Sequence, residues 1–314
     1  MDGGRIFEAK RARTMSWITE VLETRFPNNA VAPGHFGELL AAYEASGIAP
    51  PNMRQEVSSG ERGLRGHIWE AMLYRYFSEL GFEFRRDKVL KAGQQGPDFG
   101  VNYNGATIWI EAIVPAPEGI PAEYLRTPKI GEAVIKSMPH EEMLLRWTAA
   151  LKEKREKFQR YVEKGIILAI EPTVIAINGC RLCDFAIDDH GISQVPFAVE
   201  ATFPIGPIAV PISLDGQPAG EARRIPRHSI QNANGAEVRT DSFLDPAYAN
   251  ISAVIGTVRW DMLQPLPLTV VHNPLARVGL PRQILGATAN KEYVADDQGD
   301  QYLLRPLSEP GQQP

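Results

Sequence analysis

Asp98 and Glu111 are the residues best placed to do chemistry together, because the run between them carries a tight-turn signal: Gly96-Pro97-Asp98-Phe99-Gly100-Val101-Asn102-Tyr103-Asn104-Gly105-Ala106-Thr107-Ile108-Trp109-Ile110-Glu111. Asn-Gly tolerates the positive φ that both central positions of a type I′ turn require, so Asn104-Gly105 predicts a two-residue hairpin loop. Counting outward from that loop sets Tyr103 opposite Ala106, Val101 opposite Ile108 and Asp98 opposite Glu111. Directly opposed residues hold their Cβ atoms roughly 4.5 to 5.5 Å apart, and like charges so placed repel. A hard divalent cation, Mg2+ or Mn2+, relieves that repulsion, because it binds through one or two carboxylates together with water and phosphate. The bland alternative gives Asp98 a local capping role and Glu111 a surface lysine.

The strand expected over residues 107–114 is apolar on both faces apart from Thr107 and Glu111, as in a central strand covered by helices. Glu111 is then a charge in a covered layer, and a buried unpaired carboxylate needs a metal, a cationic partner or a proton. Two helices are expected to face that layer. Over residues 62–80, Gly63, Gly66, Glu70, Leu73, Phe77 and Leu80 recur at helical spacing, so Glu70 lies in an apolar stripe. Over residues 141–164, Leu144, Trp147, Leu151, Lys154, Phe158 and Tyr161 do the same, with Lys154 in the row. Lys152, Arg155 and Lys157 lie off that stripe and suit backbone phosphates, while Gln159 and Tyr161 could add polar contacts, Tyr161 serving equally well as core packing. Residues 144–164 carry seven basic residues against three acidic ones, a basic stripe or a solvated helix face.

A helix bearing a glutamate, Pro97-Asp98 at the start of one strand, Glu111 on the next and then a basic helix resembles the PD-(D/E)-x-K, restriction-endonuclease-like nuclease superfamily. The resemblance covers residues 62–178 and departs from the family at one position: Ile113 stands where a lysine follows the strand glutamate. It implies a mixed α/β fold, a β-sheet flanked by helices, in which Asp98, Glu111, the Ile113 carbonyl and Glu70 hold Mg2+ or Mn2+. Lys154, supplied from the following helix, replaces the missing lysine. Catalysis by Glu70, Asp98, Glu111 and Lys154 is then hydrolysis of a nucleic-acid phosphodiester, DNA rather than RNA, with Lys152, Arg155, Lys157 and Gln159 on the strand backbone. The alternative is an inactive nuclease fold that binds nucleic acid or protein.

The remaining sequence sets the frame. At 314 residues the chain is about twice the ~150 of a comfortable single domain. Three segments are expected: an N-terminal helical element over 1–60, with helices near 15–25 and 37–45, the nuclease-like core over 61–179, and a β-rich extension over 180–314. Further strands are expected at 82–86, 99–103 and 173–178, β-like runs at 197–203, 251–258 and 268–271, and a hairpin at Gln298-Gly299-Asp300. The formal charge is −5, and residues 180–314 hold ten basic against fifteen acidic residues, so the excess lies there and any phosphate-binding surface belongs to the first part. No segment reads as a membrane span or signal peptide, and a cytoplasmic location is expected. Cys180 and Cys183 form a lone CxxC, which lacks the second pair a zinc site needs.

Overall fold

The computed structural model describes residues 17–26, 31–85, 96–126, 132, 137–183, 190, 192–217, 219–259, 268–286, 291–299 and 302–307. Two packed units divide the chain: one takes in Met1–Gln94 and Asp98–Thr107, the other Gln95–Pro97 and Ile108–Pro314. The fold is mixed α/β, with a large mixed sheet flanked by helices. Among the described residues no helix is long and apolar enough to cross a membrane.

The first unit is mostly helical. Helix α1 is described over residues 17–25, followed by α2 (Ala32–Ala45), α3 (Met53–Ser59) and α4 (Glu61–Glu79). Helix α2 starts five residues before the 37 expected, because Pro33 sits in its first turn, where a missing N–H costs nothing. Strand β1 (Glu83–Phe84) pairs antiparallel with β2 (Phe99–Tyr103), Phe84 opposite Val101. The Asn-Gly loop forms as the sequence predicts: Asn104 and Gly105 take φ of 48° and 82° and hand the chain to β3 (Ala106–Ile113).

The second unit is built on a run of strands in the order β3, β4 (Thr173–Asn178), β9 (Ala253–Thr257), β10 (Thr269–His272), β11 (Lys291–Asp297) and β12 (Tyr302–Pro306). The first three run parallel, β10 opposes β9, and β11 and β12 close the run as a hairpin. Strand β4 is buried at every position, which is why Thr-Val-Ile-Ala-Ile-Asn shows no alternation. Helix α5 (His140–Glu163) lays Trp147, Leu151 and Phe158 into one core with Ile175, Ile177, Val254 and Val271. Its acidic first turn, Glu141 and Glu142, and basic last turn, Arg160, complement the helix dipole. It stops at Gly165 (φ 66°), where Ile166 N–H donates back to the Tyr161 carbonyl.

The run 197–203, expected as β-like, instead begins with helix α6 (Phe197–Glu200). Short apolar runs fit a strand or a buried helix turn equally well, and Pro196, just before this one, leaves the chain poised to enter a helix. Two small antiparallel pairs complete the unit: β5 (Ile205–Ala209) with β6 (Arg223–Pro226), and β7 (Ser229–Gln231) with β8 (Glu237–Arg239). Strands β11 and β12 pair antiparallel on either side of the turn expected at 298–300, and Gly299 takes φ 88°; Asp300 lies outside the described residues.

Candidate active site

In the second unit, Glu111 sits on β3 opposite Ile175 of β4, on the strands that α5 covers. It is fully buried, and both carboxylate oxygens are engaged by one helix. Lys154 Nζ donates to Oε2 at 2.6 Å, Lys157 Nζ approaches the same oxygen at 3.3 Å, and the Tyr161 hydroxyl donates to Oε1 at 2.8 Å. Spacings of three and seven residues put these side chains on one face of a helix, so a single element presents all three. The Gly96 carbonyl lies 3.2 Å from the same hydroxyl, which has one proton and makes its shorter contact to Glu111.

Lys154 is 5% exposed while the Lys157 side chain is 31% exposed, so one ammonium is buried with the carboxylate and the other faces outward. The three contacts fix the carboxylate in one orientation, and Lys157, at 3.3 Å and partly in solvent, can also meet an anionic oxygen such as a phosphate supplies.

The first unit contains a second polar network. On α4, Glu70 Oε2 accepts from the Tyr43 hydroxyl at 3.1 Å and meets His67 Nδ1 at 3.0 Å, while His67 Nε2 reaches Glu56 Oε2 at 2.8 Å. A carboxylate at each ring nitrogen favours the doubly protonated imidazolium. Burial of the ring opposes that charge, but the hydrogen bonds and negative charge of Glu70 and Glu56 outweigh it and raise the His67 pKa. Burial, then the charges of Glu70 and Asp98, push the Tyr43 phenol well above its ordinary range, so it stays protonated. Glu70 and Asp98 thus both bear on Tyr43.

The other expected residues are dispersed. Lys152 is exposed on α5. Lys157, expected on backbone phosphates, also approaches Glu111, because it lies one helical turn beyond Lys154. The Arg155 guanidinium lies 5.0 Å over the Tyr248 ring, and Gln159 donates to Glu163 at 2.9 Å. Ile113 ends β3 opposite Ile177 and packs against the apolar core. Among the described residues no three or more His, Cys, Asp or Glu side chains gather as a metal site. Cys180 and Cys183 are not joined in a disulfide, and Cys183 is buried in the core. The sequence reading missed His67 as a partner for Glu70, although the spacing of three residues on one helix was visible.

No family model, no curated protein and no solved structure matches this chain.

Proposed function

We propose that the protein is a metal-dependent nuclease of the PD-(D/E)-x-K type, restriction-endonuclease-like in its core, that hydrolyses phosphodiesters of DNA with a lysine supplied by α5. The observation that carries this reading is the buried Lys154–Glu111 pair, which sets an ammonium group on the strand glutamate from the helix expected to supply it in place of Ile113. Glu111 offers hard carboxylate oxygens of the kind Mg2+ or Mn2+ takes, and the two ammonium groups now on its Oε2 would have to move off it for the ion to bind. In this reading Asp98, Glu111, the Ile113 carbonyl and Glu70 would hold the ion. When bound, it supplies charge neutralisation and a water of lowered pKa.

The protein's own groups do the rest. Tyr161 holds Glu111 Oε1 and so fixes the plane of the carboxylate. Lys154 gives up its contact with Glu111 to orient the attacking water and to stabilise negative charge on the phosphorus-bound oxygens. Lys157, half in solvent, holds a neighbouring phosphate oxygen.

The test is incubation of duplex DNA with the protein and Mg2+ or Mn2+, repeated with Asp98→Ala and Glu111→Ala. Metal-dependent cleavage lost in both variants supports the reading, and cleavage unaffected by either overturns it.

A second reading, an inactive nuclease fold that binds nucleic acid or protein, is favoured by one observation: Glu111 already has both oxygens satisfied, with Ile113 at the strand lysine position. Under that reading Mn2+ gives no thermal stabilisation, whereas the nuclease reading requires it.

A further inference from the structure

The second unit also holds a cavity of about 400 Å3, between the C-terminal half of α5, the start of β4 and the segments before β9 and after β10. Small-molecule sites span roughly 300 to 1,000 Å3, so a compact organic molecule fits. Arg155, Gln159 and Val162 line it from α5, at spacings of four and seven residues. This face of the helix is distinct from the one that carries Lys154, Lys157 and Tyr161 to Glu111.

The charges around the cavity are unequally committed. Of its two carboxylates, Glu163 accepts from Gln159 Nε2 at 2.9 Å, and Glu171 accepts from Trp109 Nε1 at 2.7 Å and from the Leu168 N–H at 2.9 Å. Its two guanidinium groups are freer. Arg155 is held over the Tyr248 ring, its Nε is buried with no hydrogen-bond partner, and its NH2 makes only a 3.4 Å contact with Glu156. Arg277 is exposed and has no ion pair among the described residues. Of the charged groups that line the cavity, the guanidinium groups are therefore the less committed. Val162, Leu168 and Val278 make part of the wall apolar, and Leu168 remains 58% exposed.

We propose that this cavity binds a small organic anion, whose carboxylate or phosphate is held by Arg155 and Arg277 and whose apolar or aromatic body rests on Val162, Leu168 and Val278. Planar guanidinium groups match both oxyanions bidentately, and the apolar wall demands more than a bare ion. The inference goes beyond the proposed nuclease reaction and does not depend on it.

Isothermal titration of the full chain with benzoate, adenosine 5′-monophosphate, inorganic phosphate and neutral adenosine tests it without any metal or cleavage readout. The expected result is saturable binding of benzoate or the nucleotide, the stronger of the two showing whether carboxylate or phosphate is preferred. Inorganic phosphate and adenosine should bind roughly tenfold more weakly or not at all, and Arg277→Ala and Arg155→Met should each weaken the preferred anion by roughly tenfold. Arg277 is exposed, so its variant remains informative if Arg155→Met fails to fold. The proposal is overturned if neither organic anion binds at millimolar concentration, if adenosine or inorganic phosphate binds as well as the preferred anion, or if Arg277→Ala binds like the wild type. Loss of DNA cleavage in the Asp98 and Glu111 variants bears on the nuclease reading alone.

Discussion

Lys154 Nζ lies 2.6 Å from Glu111 Oε2, a buried contact between residues 43 apart in sequence that ties α5 to β3. In a covered layer neither charge is tolerable without the other. Breaking one partner of such a pair leaves an uncompensated buried charge and costs about 3 to 5 kcal/mol. Lys154→Met should destabilise the protein by that order in urea unfolding, somewhat less if Lys157 moves in to compensate. Glu111→Gln combined with Lys154→Met should recover part of the loss, giving a favourable coupling in the double-mutant cycle. Additive effects of the two changes would contradict the pairing.

Tyr161 makes the third contact. Tyr161→Phe removes a hydroxyl that donates to Glu111 at 2.8 Å while keeping the ring that packs edge-on to Phe158. The expected loss is about 1.5 to 3 kcal/mol, the range for a hydrogen bond to a charged group. A stability within a few tenths of a kcal/mol of the wild type would show that water replaces the phenol.

These three contacts also show what the sequence made legible. The hairpin at Asn104-Gly105, strands β2, β3 and β4 and the full extent of α5 could be read because glycine or proline punctuates the chain around them and apolar residues dominate their buried positions. Lys154 was readable because a charge stood in an otherwise apolar helical row. The approach of Lys157 to Glu111 was not legible, because counting along one stripe ignores the length of the side chain, which brings its ammonium back to the carboxylate. Helix α6 was missed because four residues, Phe-Ala-Val-Glu, are too few to show a period that distinguishes helix from strand. The cavity beside Arg155 is lined by segments far apart in sequence, and no local pattern announces it.

Gly256 on β9 shows how closely α5 and α6 approach the sheet. A Cβ there would meet the Ala198 Cβ at 2.6 Å and Trp147 Cη2 at 2.9 Å. Both neighbours are themselves fully packed, so the backbone has to shift. Gly256→Ala should destabilise by about 1 to 3 kcal/mol, the usual cost of overpacking, and Gly256→Val by more. Thermal unfolding of the two variants measures this, and an unchanged midpoint for Gly256→Val would show that Trp147 can retreat.

His67 makes stability depend on pH. Its folded pKa is raised above the ordinary 6.5, so the folded state binds the proton more tightly than the unfolded chain. The stabilisation is therefore fully present below about pH 6.5 and is lost as pH rises through the folded value. Urea unfolding across that window should show the wild type losing its advantage over His67→Phe as pH increases. Parallel curves for the two proteins would exclude His67 as the source.

Single-turnover cleavage of duplex DNA in Mg2+ by the wild type and by Lys154→Met, each shown by circular dichroism to be folded at the assay temperature, decides whether the Lys154–Glu111 pair works in cleavage. Metal-dependent cutting by the wild type is expected, with a rate lower by about a hundredfold or more in the variant, the scale of losing one group that stabilises the transition state. Equal rates in the two folded proteins would contradict that role, as would a wild type that cuts nothing with Mg2+ or Mn2+.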